Sequence, residues 1–486
     1  MKLTVNSIHL LWGQLASGVL ALILAATLGR GLSSADFGLY YTATSIATFA
    51  FVLVDWGQTI FLMQESARKP MSIAQLLSSA LLFRLLAAIG MVMLVTTAPW
   101  IMGYDANLRI LVPVAVASAL PLALAQAFGA VFRGWDRMDL DVNMTLIGKL
   151  IAVLSTVVAL RFGSDLPTVL LVQISGGVAA CAFAVGMGRR NGLQLSVPTA
   201  GKMRELALNG APLASTAIAL ALQPFIDVML LSNLTSNEVV GWFCAARNVV
   251  GLLVSPAIIM STAAAPELAR LSGSPIALRN VLENAARLVL LIATFAAAGS
   301  FLFAATALSL IYGSGRFDNA VPILWVSAGT LPLLVLDILL GCVLTALGRH
   351  YSVALAKALN VVVAAVLCFV LIPVCQAHFG NGGIAPMLAF ALTEIMMLCL
   401  FFALLPRVVA RYSLLFALAR AYLVAAATCA LLLMLPSISA WLGLPILVLV
   451  FSALAIATQM VRIDDLKKGY VLLSDLFAAT RGRVSK

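Results

Sequence analysis

The sequence predicts an all-α membrane protein with about fourteen transmembrane helices, and three observations lead to this fold class. First, 63% of the 486 residues are hydrophobic and only 10% are charged, whereas a soluble domain is about 45–50% apolar and about 25% charged. Second, the apolar residues form long runs, and third, the basic residues concentrate in alternate connections between these runs. The composition excludes a soluble enzyme, a nucleic-acid-binding protein and a disordered scaffold.

The apolar runs define the predicted spans. A helix that crosses a bilayer needs about 20 apolar residues, and fourteen runs bounded by charged or turn-forming residues come close to this length. The first run leads directly into a second one, so we interpret it as a retained helix rather than a signal peptide. The predicted spans are 9–29, 38–59, 75–101, 109–132, 144–161, 166–188, 208–232, 239–264, 286–310, 320–346, 352–374, 383–405, 418–436 and 440–460.

Lysine and arginine residues predict the orientation of these spans. With the N-terminus placed in the cytoplasm, 24 of the 30 basic residues fall on the cytoplasmic side and 4 on the outer side. This bias follows the positive-inside rule and places both termini in the cytoplasm. The net charge of +11 is therefore explained by orientation, and a nucleic-acid partner is not expected.

The two halves of the chain share short motifs in the same order. Gly38 corresponds to Gly241, and Leu120-Pro121-Leu122 corresponds to Leu331-Pro332-Leu333. Six spans separate the two copies, so the halves have the same orientation, as in transporters built from parallel repeats. The predicted organisation is an N-lobe (1–205), a C-lobe (206–410), a final pair of spans (411–461) and a basic cytoplasmic tail (462–486).

The cysteine pattern predicts neither a disulfide framework nor a bound metal. The seven cysteines lie in apolar runs, without a Cys-x-x-Cys pair or a nearby histidine, so the expected role is that of small buried apolar side chains. No cofactor and no catalytic residue is predicted.

Four motifs carry a family resemblance. They are Leu28-Gly29-Arg30-Gly31-Leu32-Ser33-Ser34-Ala35-Asp36-Phe37-Gly38-Leu39-Tyr40, Asp55-Trp56-Gly57, Asp227-Val228-Met229-Leu230-Leu231 and Gly241-x-x-x-Ala245-Ala246-Arg247. Over roughly residues 1–410 the chain resembles Wzx-type polysaccharide-unit flippases of the multidrug/oligosaccharidyl-lipid/polysaccharide exporter superfamily, and the last two spans fit the fourteen-helix members of that group.

The resemblance implies a function and a location. It implies alternating-access transfer of a polyprenyl-diphosphate-linked oligosaccharide from the cytoplasmic to the outer leaflet of a bacterial inner membrane. The product would serve O-antigen, capsule or exopolysaccharide biosynthesis. The implied partners are this lipid-linked substrate, membrane lipids, a polysaccharide polymerase with its chain-length machinery, and a coupling ion such as a proton or sodium.

Charged residues inside the spans are the candidate functional residues, because a charge at the bilayer centre costs about 2.5–3.5 kcal/mol on insertion scales. Arginine suits the diphosphate of the implied substrate, since its planar guanidinium matches phosphate oxygens. The alternative is that these charges form structural ion pairs, and an Asp227–Arg247 pair is one hypothesis. The candidates for substrate binding are Arg247, Arg84 and Arg30, and those for coupling or charge balance are Asp227, Glu394, Asp337 and Asp55.

Three other functions remain alternatives. A flippase of the peptidoglycan precursor would also bind a diphosphate. A drug or cation exporter fits less well, because the two arginines inside the spans, Arg84 and Arg247, favour an anionic lipid headgroup over a cationic drug. A membrane-embedded sugar polymerase or ligase is disfavoured, because the outer loops are short, the three histidines are scattered and no nucleotide-binding loop motif is present. We therefore expect a transporter and not an enzyme.

Overall fold

The computed structural model describes residues 2–69, 73–101, 106–271, 273–406, 409, 411–434 and 440–460. Within these ranges the chain forms seventeen α-helices and a short 3₁₀ turn at Asp318–Ala320, and no strand. The helices are α1 (Lys2–Gly31), α2 (Ser34–Asp55), α3 (Gln58–Arg68), α4 (Ile73–Ile101), α5 (Ala106–Gly134), α6 (Met138–Arg161), α7 (Leu166–Val172), α8 (Ile174–Arg190), α9 (Ala200–Leu234), α10 (Asn237–Arg270), α11 (Pro275–Leu302), α12 (Ala304–Tyr312), α13 (Val321–Ala346), α14 (His350–Phe379), α15 (Ile384–Leu404), α16 (Arg411–Leu433) and α17 (Ala440–Ala457).

The lengths of these helices confirm a polytopic membrane protein. Among the described residues, thirteen helical segments are long and apolar enough to cross a bilayer. The predicted fourteenth span, 440–460, corresponds to α17, whose apolar part Leu442–Ala457 is shorter than the others. The predicted tail 462–486 lies outside the described residues.

Three of the predicted spans are each divided between two helices, and the division of the second predicted span has a clear physical reason. The predicted span 38–59 ends four residues early, because Trp56 and Gly57 adopt left-handed backbone conformations with φ of 46° and 74°. Glycine accepts this conformation without a steric penalty, and α3 then continues the chain. Likewise, span 166–188 is divided between α7 and α8, and span 286–310 between α11 and α12.

A backbone crossing joins the two matched glycines of the predicted repeat. A Cβ atom on Gly38 would overlap the carbonyl oxygen of Asn237, and one on Gly241 would overlap the carbonyl oxygen of Ser34. Gly38 therefore contacts the residue four positions before Gly241, and Gly241 contacts the residue four positions before Gly38. Such a reciprocal contact is what a local two-fold relation between α2 and α10 requires, and it explains why both positions lack a side chain.

The described residues group into two compact units. The first comprises those within 1–252, 308–323 and 357–389, and the second those within 253–307, 324–356 and 390–460. The predicted lobe boundaries at 205 and 410 follow the sequence repeat rather than this grouping, and they stay a prediction.

Alanine at either crossing glycine should destabilise the protein. We expect Gly38→Ala and Gly241→Ala each to lower the melting temperature of the detergent-solubilised protein, because forcing an extra methyl group into a tight contact typically costs about 1–3 kcal/mol. Gly90→Ala is the matched control, since a Cβ atom there meets nothing within 4 Å, and alanine favours a helix over glycine. Unchanged melting temperatures for both crossing variants would contradict the close approach.

Candidate functional site

Three helices of the first unit line an open cavity of about 350 Å³. Each helix contributes residues spaced three or four positions apart, which lie on one helical face. At 1.5 Å per residue the lining begins about 10 Å from the predicted outer ends of α2 and α10 and extends to about 20 Å. The lining of this three-helix cavity is Tyr41, Thr44, Ser45, Thr48 and Phe49 from α2, Ala221, Pro224, Phe225 and Val228 from α9, and Cys244, Arg247 and Asn248 from α10.

The cavity wall contains both hydrogen-bond acceptors and hydrogen-bond donors. The hydroxyl groups of Thr44 and Thr48 donate to carbonyl groups one turn earlier in α2, at 2.8 and 2.7 Å, so their remaining lone pairs can accept. From α10, the Asn248 amide donates to the Tyr41 hydroxyl of α2 at 2.7 Å. This arrangement can bind a polar, hydroxyl-bearing group within an otherwise apolar membrane segment.

Two phenylalanine rings form an apolar part of the same wall. Phe49 and Phe225 stack with their centroids 4.3 Å apart and an angle of 13° between the ring planes. They join α2 to α9 and border the polar lining. The cavity therefore combines a flat aromatic surface with hydroxyl and amide groups.

Arg247 supplies the charge of the cavity. Among the lining residues that the structure describes, it alone is charged. Its guanidinium lies 6.0 Å from the centre of the Phe243 ring and donates to the Pro224 carbonyl at 3.4 Å. This single long hydrogen bond leaves most of its donors available to a ligand.

The hypothesised Asp227–Arg247 ion pair does not form within the described residues. Arg247 points to the Pro224 carbonyl, and the Asp227 carboxylate instead accepts a hydrogen bond from the Cys368 thiol of α14 at 3.7 Å. The two side chains are close enough to interact electrostatically. Asp227 therefore acts on Arg247 only at a distance and not through a direct contact.

Arg84 is placed away from the three-helix cavity, in an ion pair with Asp55. Its side chain is only 1% exposed. One terminal nitrogen donates to the Ala123 carbonyl at 2.5 Å, and the other contacts the Asp55 carboxylate and the Thr59 hydroxyl, the latter at 2.9 Å. Two residues that the sequence suggested for substrate binding and for coupling therefore hold α4, α5 and the α2–α3 junction together.

The same junction is fixed against α9. The Trp56 indole donates to the Ala207 carbonyl at 3.1 Å. Gly57 packs against the backbone of Gly210, so closely that a Cβ atom on either glycine would overlap a carbonyl oxygen of the other segment. The break between α2 and α3 is therefore held on one side by the Arg84–Asp55 pair and on the other by α9.

Arg30 lies at the ends of two helices rather than in the cavity. Its guanidinium donates to the Ile311 carbonyl at 2.9 Å and also to that of Leu310, in the last turn of α12. In return, Arg316 donates to the carbonyl groups of Arg30 and Leu32 at 2.7 and 3.2 Å, at the end of α1. Arg30 thus caps the C-terminal end of α12, and Arg316, in the loop after α12, caps the C-terminal end of α1, where a cation is also favoured by the helix dipole.

An aromatic cluster lies near these capped helix ends. It consists of Phe37, Tyr41, Tyr312 and Phe317, with centroid distances of 4.7–5.7 Å between contacting rings. The Tyr312 hydroxyl donates to the Ala245 carbonyl of α10 at 3.1 Å. Because Tyr41 also lines the three-helix cavity, the cluster borders the cavity directly.

The remaining acidic candidates belong to the second unit. Asp337 in α13 is 1% exposed and Glu394 in α15 is 2% exposed. The offset that matches Leu120-Pro121-Leu122 to Leu331-Pro332-Leu333 also matches Gln126 to Asp337. Gln126 is exposed, so these two polar positions have different environments. A coupling role for Asp337 and Glu394 stays a prediction.

Sequence reasoning missed the uncharged lining of the cavity. Thr44, Ser45 and Thr48 lie on one helical face of α2, and this spacing inside an apolar span was the signal that could have identified them. In the part of the chain that the structure describes, no group of three histidine, cysteine or acidic residues could hold a metal ion.

Comparison with known families gives one match in sequence. Residues 3–272 match the family described as polysaccharide biosynthesis protein, which is more than half of the chain. No curated protein matches the chain in sequence.

Comparison with solved structures gives several similar folds. A structure of the lipid II flippase MurJ in an inward closed conformation has a TM-score of 0.71 at 15% identity, over 94% of this chain and 99% of that one. An inward-facing multidrug resistance MATE family transporter of the MOP superfamily has a TM-score of 0.60 at 15% identity, over 80% and 95%. A MOP superfamily transporter from Pyrococcus furiosus has a TM-score of 0.57 at 12% identity, over 87% and 96%. The fold is that of MOP-superfamily flippases and transporters.

The Arg84–Asp55 pair should give a strong coupling energy in a double-mutant cycle. Asp55→Asn leaves a buried arginine without its counter-charge, and Arg84→Met leaves an unpaired carboxylate, so we expect each to lower thermal stability markedly, since breaking a buried pair costs about 3–5 kcal/mol. The double variant should be more stable than the sum of the two losses predicts. Additive losses in thermal unfolding would contradict a direct pair.

Proposed function

The chain belongs to the polysaccharide biosynthesis protein family, and on this premise we propose that it is a flippase for a polyprenyl-diphosphate-linked oligosaccharide. It moves this lipid from the cytoplasmic to the outer leaflet of a bacterial inner membrane by alternating access. The product supplies a cell-surface polysaccharide such as O-antigen, capsule or exopolysaccharide. The single observation that carries the proposal is the guanidinium of Arg247, which lines the three-helix cavity and has no ion pair among the described residues.

Arg247 binds the diphosphate in this proposal. A guanidinium presents a planar set of donors that matches two phosphate oxygens at once. In a low-dielectric cavity such a charge-assisted contact is stronger than it would be in water. A ligand that carries its own negative charge compensates Arg247, whereas the described lining supplies no carboxylate to do so.

The uncharged lining supports a sugar as the group attached to the diphosphate. Hydroxyl acceptors from Thr44 and Thr48 and the amide of Asn248 suit the hydroxyl groups of a saccharide. The stacked Phe49 and Phe225 rings offer a flat apolar surface for the carbon-bound face of a sugar ring.

Export of a cationic drug fits the cavity less well, because the described lining carries a positive charge.

The peptidoglycan precursor is the second candidate, and the likeness to the fold of a lipid II flippase favours it. Both lipid substrates carry a diphosphate, so Arg247 has the same role in either case. The family match in sequence favours the polysaccharide substrate.

In this proposal an acidic residue couples transport of the substrate to the movement of a proton or a sodium ion. Asp227 is our first candidate because it interacts electrostatically with Arg247 and lies one turn from the cavity-lining Pro224. Binding of the diphosphate at Arg247 therefore changes the electrostatic environment of Asp227, which couples the substrate to a proton or to sodium. Asp55 is a weaker candidate, since it is paired with Arg84. The flipped product passes to a polysaccharide polymerase with its chain-length machinery.

Substitution of Arg247 tests the binding role. We expect Arg247→Ala to reduce polysaccharide export about tenfold or more, because a hydrogen bond to a charged group contributes about 1.5–3 kcal/mol. Arg247→Lys should retain part of the activity, since it keeps the charge but loses the planar fork. The measurement is surface polysaccharide in cells whose own gene is deleted and replaced by each variant at equal membrane abundance. Arg189→Ala, at an exposed position on the predicted cytoplasmic side, is the control.

Depletion of the protein separates the two lipid substrates. We expect cells to lose surface polysaccharide while they keep their growth rate and shape, because the cell wall precursor is not the substrate. The measurement is polysaccharide staining together with growth after depletion. Lysis with accumulation of the peptidoglycan precursor would instead identify the second candidate, and unchanged polysaccharide would reject the proposal.

A further inference from the structure

A second basic feature lies in the second unit, between α11 and α16. It is a cleft of about 110 Å³, referred to below as the basic cleft. Both of its charged residues are arginines and fall on the predicted cytoplasmic side. The cleft is lined by Arg287, Leu290, Ser413, Phe416, Ala417, Arg420 and Met460.

One of the two arginines is held in place. The Arg420 guanidinium lies 5.0 Å from the centre of the Phe416 ring, which is within the range of a cation–π contact. It also donates to the Gln459 carbonyl, just beyond α17, at 3.4 Å. These contacts fix its position at the wall of the cleft and leave other donors of the guanidinium available.

The other arginine has no direct partner. Arg287 forms no direct hydrogen bond or salt bridge with another residue in the described ranges, although the Glu283 carboxylate one turn earlier in α11 is close enough to interact with it electrostatically. The nearby Glu283 is already engaged, because it accepts from Arg279 at 2.9 Å and from the Ser413 hydroxyl at 2.7 Å. The basic cleft therefore has two positive charges, from Arg287 and Arg420. The neighbouring Glu283 carboxylate is hydrogen-bonded to Arg279 and Ser413 and to neither of these two arginines.

The surroundings of these charges are apolar. Arg287 and Arg420 lie within helical segments that are apolar enough to span a membrane, Pro275–Leu302 and Tyr412–Leu433. A charge in such a segment is costly unless it meets an opposite charge or the headgroup region. Leu290, Phe416 and Met460 line the same cleft, so a ligand that fits both kinds of surface carries a negative charge next to an apolar chain.

We propose that the basic cleft binds the phosphate group of an anionic phospholipid, such as phosphatidylglycerol, from the cytoplasmic leaflet. The two arginines contact the phosphate oxygens, and an acyl chain follows the apolar wall. A pair of arginines between two helices on the predicted cytoplasmic side has the chemistry that recognises lipid phosphate. The two charged residues of the site lie in α11 and α16, and the basic cleft shares no lining residue with the three-helix cavity. The proposed lipid site is therefore independent of that cavity and of the substrate proposed for it.

A lipid-dependent stability measurement tests this site. Purified full-length protein in neutral detergent is titrated with phosphatidylglycerol or with phosphatidylcholine, and its melting temperature is recorded. We expect phosphatidylglycerol to stabilise the parent at lower concentration than phosphatidylcholine does. For Arg287→Gln/Arg420→Gln the half-saturating concentration of phosphatidylglycerol should rise about 25-fold, since each basic group near a lipid surface contributes about fivefold.

Matched variants make the result specific. Arg189→Gln/Arg190→Gln removes the same charge from exposed positions on the same predicted face and should respond like the parent. The single variants Arg287→Gln and Arg420→Gln, each with a shift of about fivefold, give the same test if the double variant does not fold. Equal phosphatidylglycerol responses in the parent and in all of the cleft variants would overturn the proposal.

Two further titrations identify the source of the phosphate. Inorganic phosphate alone should not reproduce the stabilisation, because it lacks the acyl chain. A polyprenyl phosphate should bind the cleft no more tightly than phosphatidylglycerol does. If inorganic phosphate stabilises equally, or if polyprenyl phosphate is preferred and this preference depends on Arg287 and Arg420, the assignment to a phospholipid is wrong.

Discussion

Hydrocarbon offers no hydrogen bonds, so the charges and backbone ends of this chain that lie within the membrane must be satisfied by the protein or by a ligand. Arg84 meets this constraint at both terminal nitrogens, through Asp55, Thr59 and the Ala123 carbonyl, whereas its Nε has no hydrogen-bond partner among the described residues. Arg247 follows it only in part, with one hydrogen bond of 3.4 Å. The contrast between the two separates a residue that holds helices together from one that is available to bind an anion.

The same constraint explains the way in which α1 and α12 end. Their last carbonyl groups have no partner within the helix, and the side chains of Arg30 and Arg316 supply the missing donors reciprocally. The substrate-binding role expected for Arg30 stays a prediction, and in this conformation two of its nitrogens are bonded to the end of α12. These two arginines, near the ends of spans, therefore hydrogen-bond to backbone carbonyl groups. Charge at such positions is less costly than at the bilayer centre, because it lies near the membrane surface.

Sequence reasoning succeeded for the fold, because the number and position of spans depend on local hydrophobicity alone. It was incomplete for the site, because pairing depends on which helices meet. Arg84 and Asp55 are 29 positions apart and were assigned different roles, yet they form one ion pair. The hypothesised Asp227–Arg247 contact was wrong although the two helices are adjacent. The break after Asp55 depends on two left-handed residues, which hydropathy does not reveal.

The crossing of Gly38 and Gly241 has a mechanical consequence. Because the contact is made by backbone without side chains, α2 can tilt against α10 with no rotamer change at the point of contact. A tilt of α2 about this crossing would move its cavity-lining residues, which begin about 5 Å and end about 17 Å from Gly38 at 1.5 Å per residue. A tilt of about 10° displaces the far end of the lining by roughly 3 Å over this length, which is enough to change the width of the cavity around Arg247.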